Sequence, residues 1–120
     1  MRLFADIAVG CVALLHVLFL VLEMFLWTRP PGRQLFGLSR EFAASTAALA
    51  ANQGLYNGFL AAGLVWGLVS QSGGFRIQVF FLCCVIVAGV FGAVTARLAI
   101  LWVQALPGAL ALVLVLVSGA

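Results

Sequence analysis

The feature that most constrains this chain is the spacing of its charges. Sixteen residues without a charge separate Asp6 from Glu23, 34 separate Glu41 from Arg76, and 20 separate Arg76 from Arg97, while 23 follow Arg97. A helix that crosses a bilayer needs about 20 predominantly apolar residues, so four crossings fit the gaps and five do not. Only 8% of the 120 residues are charged and 66% are hydrophobic, with a mean hydropathy of +1.27. Soluble domains carry about 25% charged side chains. Nine charges cannot cover so much apolar surface, so lipid is the expected solvent.

The chain therefore reads as all-α, a single membrane domain over 1–120. It is a four-transmembrane-helix bundle with antiparallel neighbours and helices at about 5–27, 46–70, 77–96 and 99–118. No internal repeat is visible. The first span has a weak basic start, Arg2 followed by Asp6, and no small-x-small cleavage site before Glu23, so it reads as a retained helix rather than a leader. Loop 1 holds Pro30, Pro31 and Gly32, which end helix 1. Beyond them Leu35, Leu38 and Phe42 share a face opposite Arg33, Arg40 and Glu41, the pattern of a short interfacial helix. Ser39 is placed to cap the next helix, with Glu41 favourable in its first turn. "SQSGG" (70–74) is a tight turn. Pro107 is expected to kink the last helix, since it cannot donate to the carbonyl of Val103.

Small residues at four-residue spacing form ridges: Gly54, Gly58 and Ala62; Gly63 and Gly67; Ala88, Gly92 and Ala96. In lipid, close backbone approach over such ridges supplies much of the helix association. They are expected to seat helices 2 and 3 against each other within one chain, a homodimer being the other use of such ridges.

The net charge of +3 is carried by six arginines. They are too scattered for a basic stripe, so no nucleic-acid partner is expected. They speak to topology instead: Arg29, Arg33, Arg40 and Arg97 lie on one side, Arg2 and Arg76 on the other. The positive-inside rule puts loops 1 and 3 in the cytoplasm.

The polar residues are segregated. Glu23 lies about 6 Å inside from Trp27, helix 2 brings Asn52, Gln53, Tyr56 and Asn57, helix 3 brings Thr95 and Arg97, and helix 4 brings Gln104. All fall in the loop 1 leaflet; the other holds little beyond Asp6 and Gln78 at its edge. His16 sits near mid-membrane, seven residues before Glu23 and on nearly the same face. An unsatisfied polar group in hydrocarbon costs several kcal/mol, and intramembrane ionisable residues face the bundle interior. The expectation is a polar pocket floored by His16, with Glu23 and Arg97 as a charge pair. In it His16 and Glu23 handle protons, and Asn52, Gln53, Tyr56, Asn57, Arg97 and Gln104 bind a small lipophilic or amphipathic molecule. Structural glue between helices is the competing account. A dimeric proton-coupled exporter of the small multidrug-resistance type and a structural subunit of a membrane complex are the alternatives.

Other chemistries are set aside. His16, Glu23 and Asp6 show no metal-ligand spacing, Cys11, Cys83 and Cys84 read as small packing residues, and no nucleotide-binding motif or cofactor signature is present. The serines lie far from the only histidine, which disfavours a Ser/His hydrolase.

Three blocks, "LEMFLWTRPPGRQLFGL" (22–38), "LAANQGLYNGFLAAGLVWG" (49–67) and "TARLAILWVQALPGALAL" (95–112), resemble a bacterial family of small membrane proteins, the domain-of-unknown-function family numbered 1304. The resemblance implies four membrane helices, a place in the bacterial inner membrane and no established activity. Its motif positions here are Glu23, Trp27, Asn52, Gln53, Tyr56, Asn57, Arg97, Gln104 and Pro107.

Overall fold

A computed structural model describes residues 1–119. The chain is all-α: α1 (Arg2–Met24), α2 (Pro30–Phe36), α3 (Arg40–Val69), α4 (Gly74–Thr95), a π-helical turn (Leu101–Ala105) and α5 (Leu106–Ser118). It divides into two compact units, one of Met1–Leu14 with Leu60–Ala120 and one of Leu15–Phe59.

In the first unit, the buried apolar core draws Ala5, Val9, Val12 and Ala13 from α1, Leu64 from α3, Leu82 and Val85 from α4, and Ala111 and Val115 from α5. The three- and four-residue steps put one stripe of each helix inward. Close approach is set by glycine. A Cβ on Gly63 would strike the ring of Phe81, and one on Gly67 would lie 2.7 Å from Gln78 Cγ. This ridge of α3 faces α4, as expected. On α4 itself the buried stripe is Gly74, Gln78, Leu82, Val85 and Gly89, one residue out of phase with the expected ridge. Ala88 and Ala96 are exposed, and it is Gly89 that meets the backbone of Ala105. Cys11 and Cys83 are exposed too, so they are not the interior packing residues their apolar spans suggest.

The final helical stretch covers 99–118, as expected. Pro107 is accommodated by the π turn just before it: the Leu106 N–H bonds to the carbonyl of Leu101, five residues back. Widening the helix there absorbs the missing donor that would otherwise break the ladder at Val103.

The second unit begins with the last turns of α1. That helix ends at Met24 rather than residue 27, the carbonyl of Val21 in its last turn accepting from both Phe25 and Leu26, at 3.0 and 3.2 Å. Pro30 and Pro31 were expected to end α1, but that helix stops at Met24, well before them. They occupy the first turn of α2, where a missing N–H costs nothing and the fixed φ is already helical. The short helix of loop 1 is therefore 30–36, and Leu38 and Phe42 fall outside it. Gly37, at φ +65°, closes α2 in the left-handed conformation, with the Leu38 N–H reaching back to Arg33 O at 2.9 Å. Gly32 has no room for a Cβ because the Leu26 carbonyl lies against it.

Ser39 caps α3 as expected, its hydroxyl accepting from the Phe42 N–H at 3.1 Å, with Glu41 in the first turn. The cap starts α3 at residue 40, six residues earlier than hydropathy alone suggests. Among the described residues, three helices are long and apolar enough to cross a membrane: Arg2–Met24, Gly74–Thr95 and Leu101–Ser118. α3 has 30 residues, but Asn52, Gln53, Tyr56 and Asn57 together with its glycines dilute its apolar character.

Candidate functional site

The second unit holds the densest polar constellation. On α1, His16, Leu20 and Glu23 share a face at i, i+4 and i+7. On α3 the facing residues are Gly54 and Gly58. A Cβ on Gly54 would lie 2.7 Å from Met24 Cγ, 3.1 Å from Glu23 Cβ and 3.2 Å from the Leu20 carbonyl oxygen, and one on Gly58 would lie 2.7 Å from Leu20 Cδ1. Two absent side chains thus let the helices approach until Glu23 can be reached by a short side chain. Asn57 Nδ2 donates to Glu23 Oε1 at 2.6 Å. Asn57 is 7% exposed, whereas Glu23 is only half-buried.

The remaining expected residues of α3 do not converge on this pair. Asn52, Gln53 and Tyr56 are exposed. Tyr56, 53% exposed, packs its ring edge-on against Phe59 at 5.7 Å. The steps of 100° per residue explain the split: with Gly54 and Asn57 turned toward α1, residues 52, 53 and 56 must point elsewhere. His16 is fully buried, with Phe19 edge-on at 5.3 Å. Arg97 and Gln104 belong to the other unit. Arg97 is exposed in the turn after α4, and Gln104, in the π turn, donates from Nε2 to Val85 O at 3.1 Å. Thr95 bonds back to its own helix, Oγ1 to Phe91 O at 2.7 Å.

The end of α1 also fixes levels along α3. Met24 is the last residue of α1 and it lies against Gly54, so residues 40–53 run on past the end of α1 by about 21 Å. Asn52 and Gln53 therefore stand just beyond the helix end rather than one or two turns inside it. Trp27 braces this extension, donating from Nε1 to Thr46 Oγ1 at 3.0 Å and lying 5.1 Å from the Phe36 ring.

Two polar features were not foreseen, one interior and one at the surface. Gln78 is completely buried, donates to the Gly67 carbonyl at 3.0 Å, and leaves its own Oε1 without a partner among the described residues. Its position four residues from Gly74 and from Leu82 on α4 was the available signal. Arg2 and Asp6 form an ion pair of 3.3 Å, the ordinary i, i+4 arrangement. Among the described residues no group of three His, Cys, Asp or Glu side chains is placed to hold a metal ion.

What the constellation offers chemically is a carboxyl group steered by an amide, with a buried imidazole two turns away on the same helix face. Two amides and a phenol lie exposed on the neighbouring turns of α3. A family model described as a protein of unknown function, DUF1304, matches residues 10–116. No curated protein and no solved structure matches the chain.

Proposed function

The chain belongs to the DUF1304 family of proteins of unknown function, and from that premise we propose a multi-pass membrane protein that binds or acts on a small amphipathic molecule at one membrane border. The observation that carries this reading is the Asn57–Glu23 hydrogen bond beside three exposed polar side chains. A carboxyl group at the end of an apolar helix is costly unless it is held or used, and the amide holds it while leaving it half-exposed.

In this reading α3 is the fourth crossing. Residues 54–69 match the uncharged run 7–22 of α1 at 16 residues each, about 24 Å of helix. Asn52 and Gln53 then stand at the headgroup border, where a molecule with one polar and one apolar end comes to rest. Glu23 and His16 would handle protons, and Asn52, Gln53, Tyr56 and Asn57 would orient the polar end. Loops 1 and 3 are cytoplasmic by their arginines, in a bacterial inner membrane.

The test is to purify the protein in mild detergent and extract what travels with it for mass spectrometry. An amphipathic compound should co-purify with the parent protein and be lost from the Asn52→Ala and Tyr56→Phe variants, both helical by circular dichroism. A parent protein that carries no such compound, or variants that keep it, would overturn the reading.

The exposure of Asn52, Gln53 and Tyr56 also favours a second reading, a structural subunit whose partner helix covers them. Cross-linking from cysteines placed at 52 and 56 to another chain in the membrane would select it.

A further inference from the structure

At the end of the first unit where α1 begins, α3 ends and α4 begins, the surface is indented by a groove of about 570 Å³. Arg2 and Arg76 line it, together with Gln71, Ser72 and the backbone of Gly73 and Gly74. We infer that this groove is a binding site for the phosphodiester headgroup of an anionic phospholipid.

The charges carry the argument. Two guanidinium groups, 74 residues apart in sequence, border one groove that no acidic residue lines. Arg2 is paired with Asp6, whereas Arg76 has no hydrogen-bond or ion-pair partner among the described residues. A guanidinium presents a planar fork of donors that matches two oxygens of a phosphate, and the Ser72 hydroxyl and Gln71 amide add neutral donors. The groove's size falls within the about 300–1,000 Å³ of small-molecule sites.

The surroundings favour a lipid over free phosphate. α1 and α4 are both apolar enough to cross a membrane, so their first turns stand at headgroup depth. Apolar side chains continue from the groove down the outside of the same helices. Phe80, 62% exposed, follows Arg76 by four residues on α4, and Leu3 and Phe4, 68% and 62% exposed, follow Arg2. An anion tethered to acyl chains fits both parts, whereas inorganic phosphate uses only the first. The inference rests on the membrane reading of these two helices.

The experiment is native mass spectrometry of the detergent-purified protein titrated with dioctanoyl phosphatidylglycerol or dioctanoyl phosphatidylcholine, with inorganic phosphate as competitor. Phosphatidylglycerol should be retained more strongly than phosphatidylcholine. A basic residue near an anionic surface contributes about fivefold, so Arg76→Gln should weaken retention by about fivefold and Arg2→Gln/Arg76→Gln by about tenfold or more. Arg40→Gln, on the other unit, should leave it unchanged. Arg76→Gln keeps the Arg2–Asp6 pair, so its result stands even if the double variant fails to fold. Equal retention of the two lipids, unchanged binding in Arg76→Gln, or displacement by equimolar inorganic phosphate would overturn the assignment. Carbonate extraction separates the two readings: protein released from membranes removes the membrane reading, while an embedded protein without lipid preference removes this site alone.

Discussion

Asn57 reaches Glu23 across 2.6 Å because Gly54, three residues before it on α3, has no side chain to hold α1 away. The bond and the glycine are one device: close packing of α1 on Gly54 creates the reach of the amide.

Removing the amide tests the bond directly. Asn57→Ala is expected to destabilise the protein by about 1–2 kcal/mol, between the about 0.6 kcal/mol average for interhelical bonds in membranes and the about 1.5–3 kcal/mol of bonds to charged groups. Glu23→Gln, which keeps an oxygen acceptor, should cost less. Both are read from unfolding in mixed detergent micelles, and an Asn57→Ala cost smaller than that of Glu23→Gln would contradict this account.

The glycines divide into those that are contacts and those that are not. A Cβ on Gly89 would lie 2.8 Å from the backbone nitrogen of Ala105, which cannot turn aside, while one on Gly10 would meet nothing within 4 Å. Gly89→Ala should cost about 1–3 kcal/mol by overpacking. Gly10→Ala should gain about 0.5–1 kcal/mol, since alanine is the better residue in a helix interior. The same detergent unfolding assay checks both signs.

Gln78 is expected to tolerate an apolar substitute. Its Nε2 bonds to Gly67 O, but Oε1 is buried without a partner among the described residues. Gln78→Leu loses one hydrogen bond and removes one unsatisfied acceptor, so the net change should stay within about 1 kcal/mol. Gln78→Glu, which buries a carboxyl group in the same place, should be clearly worse. Melting temperatures of the two variants, compared side by side, decide the matter.

The strap formed by α2 depends on Trp27. Trp27→Phe keeps an aromatic ring near Phe36 but loses the 3.0 Å bond to Thr46, about 1 kcal/mol. Trypsin should then cleave after Arg33 several times faster than in the parent protein. Unchanged cleavage would mean that the ring contact alone holds the strap.

Topology is open to a labelling experiment. With Cys11, Cys83 and Cys84 replaced by alanine, a cysteine at Ser39 should react with an impermeant maleimide only after the cells are opened, and one at Ser72 in intact cells. The reverse pattern would invert the proposed orientation.

The sequence by itself determined what depends on neighbours along the chain. Charge spacing set the all-α, membrane-compatible class, Ser39 marked a helix cap, Pro107 marked the disturbed turn, and "SQSGG" marked the connection before α4, whereas the four long apolar spans expected came out as three. It also fixed the angle between neighbouring side chains on α3, although Asn57 and Tyr56 were both expected inside. Only the tertiary structure decided which of them was. Periodicity fixes the angle between side chains but not the rotation of the helix about its axis, and that rotation is set by where the two helices pack closest, here α1 against Gly54 and Gly58. The level at which α1 stops was equally a tertiary matter. Met24 settles beside Gly54, which moves Asn52 and Gln53 from the expected interior to the end of the helix, because the packing of one helix on another has no counterpart in the order of residues within either.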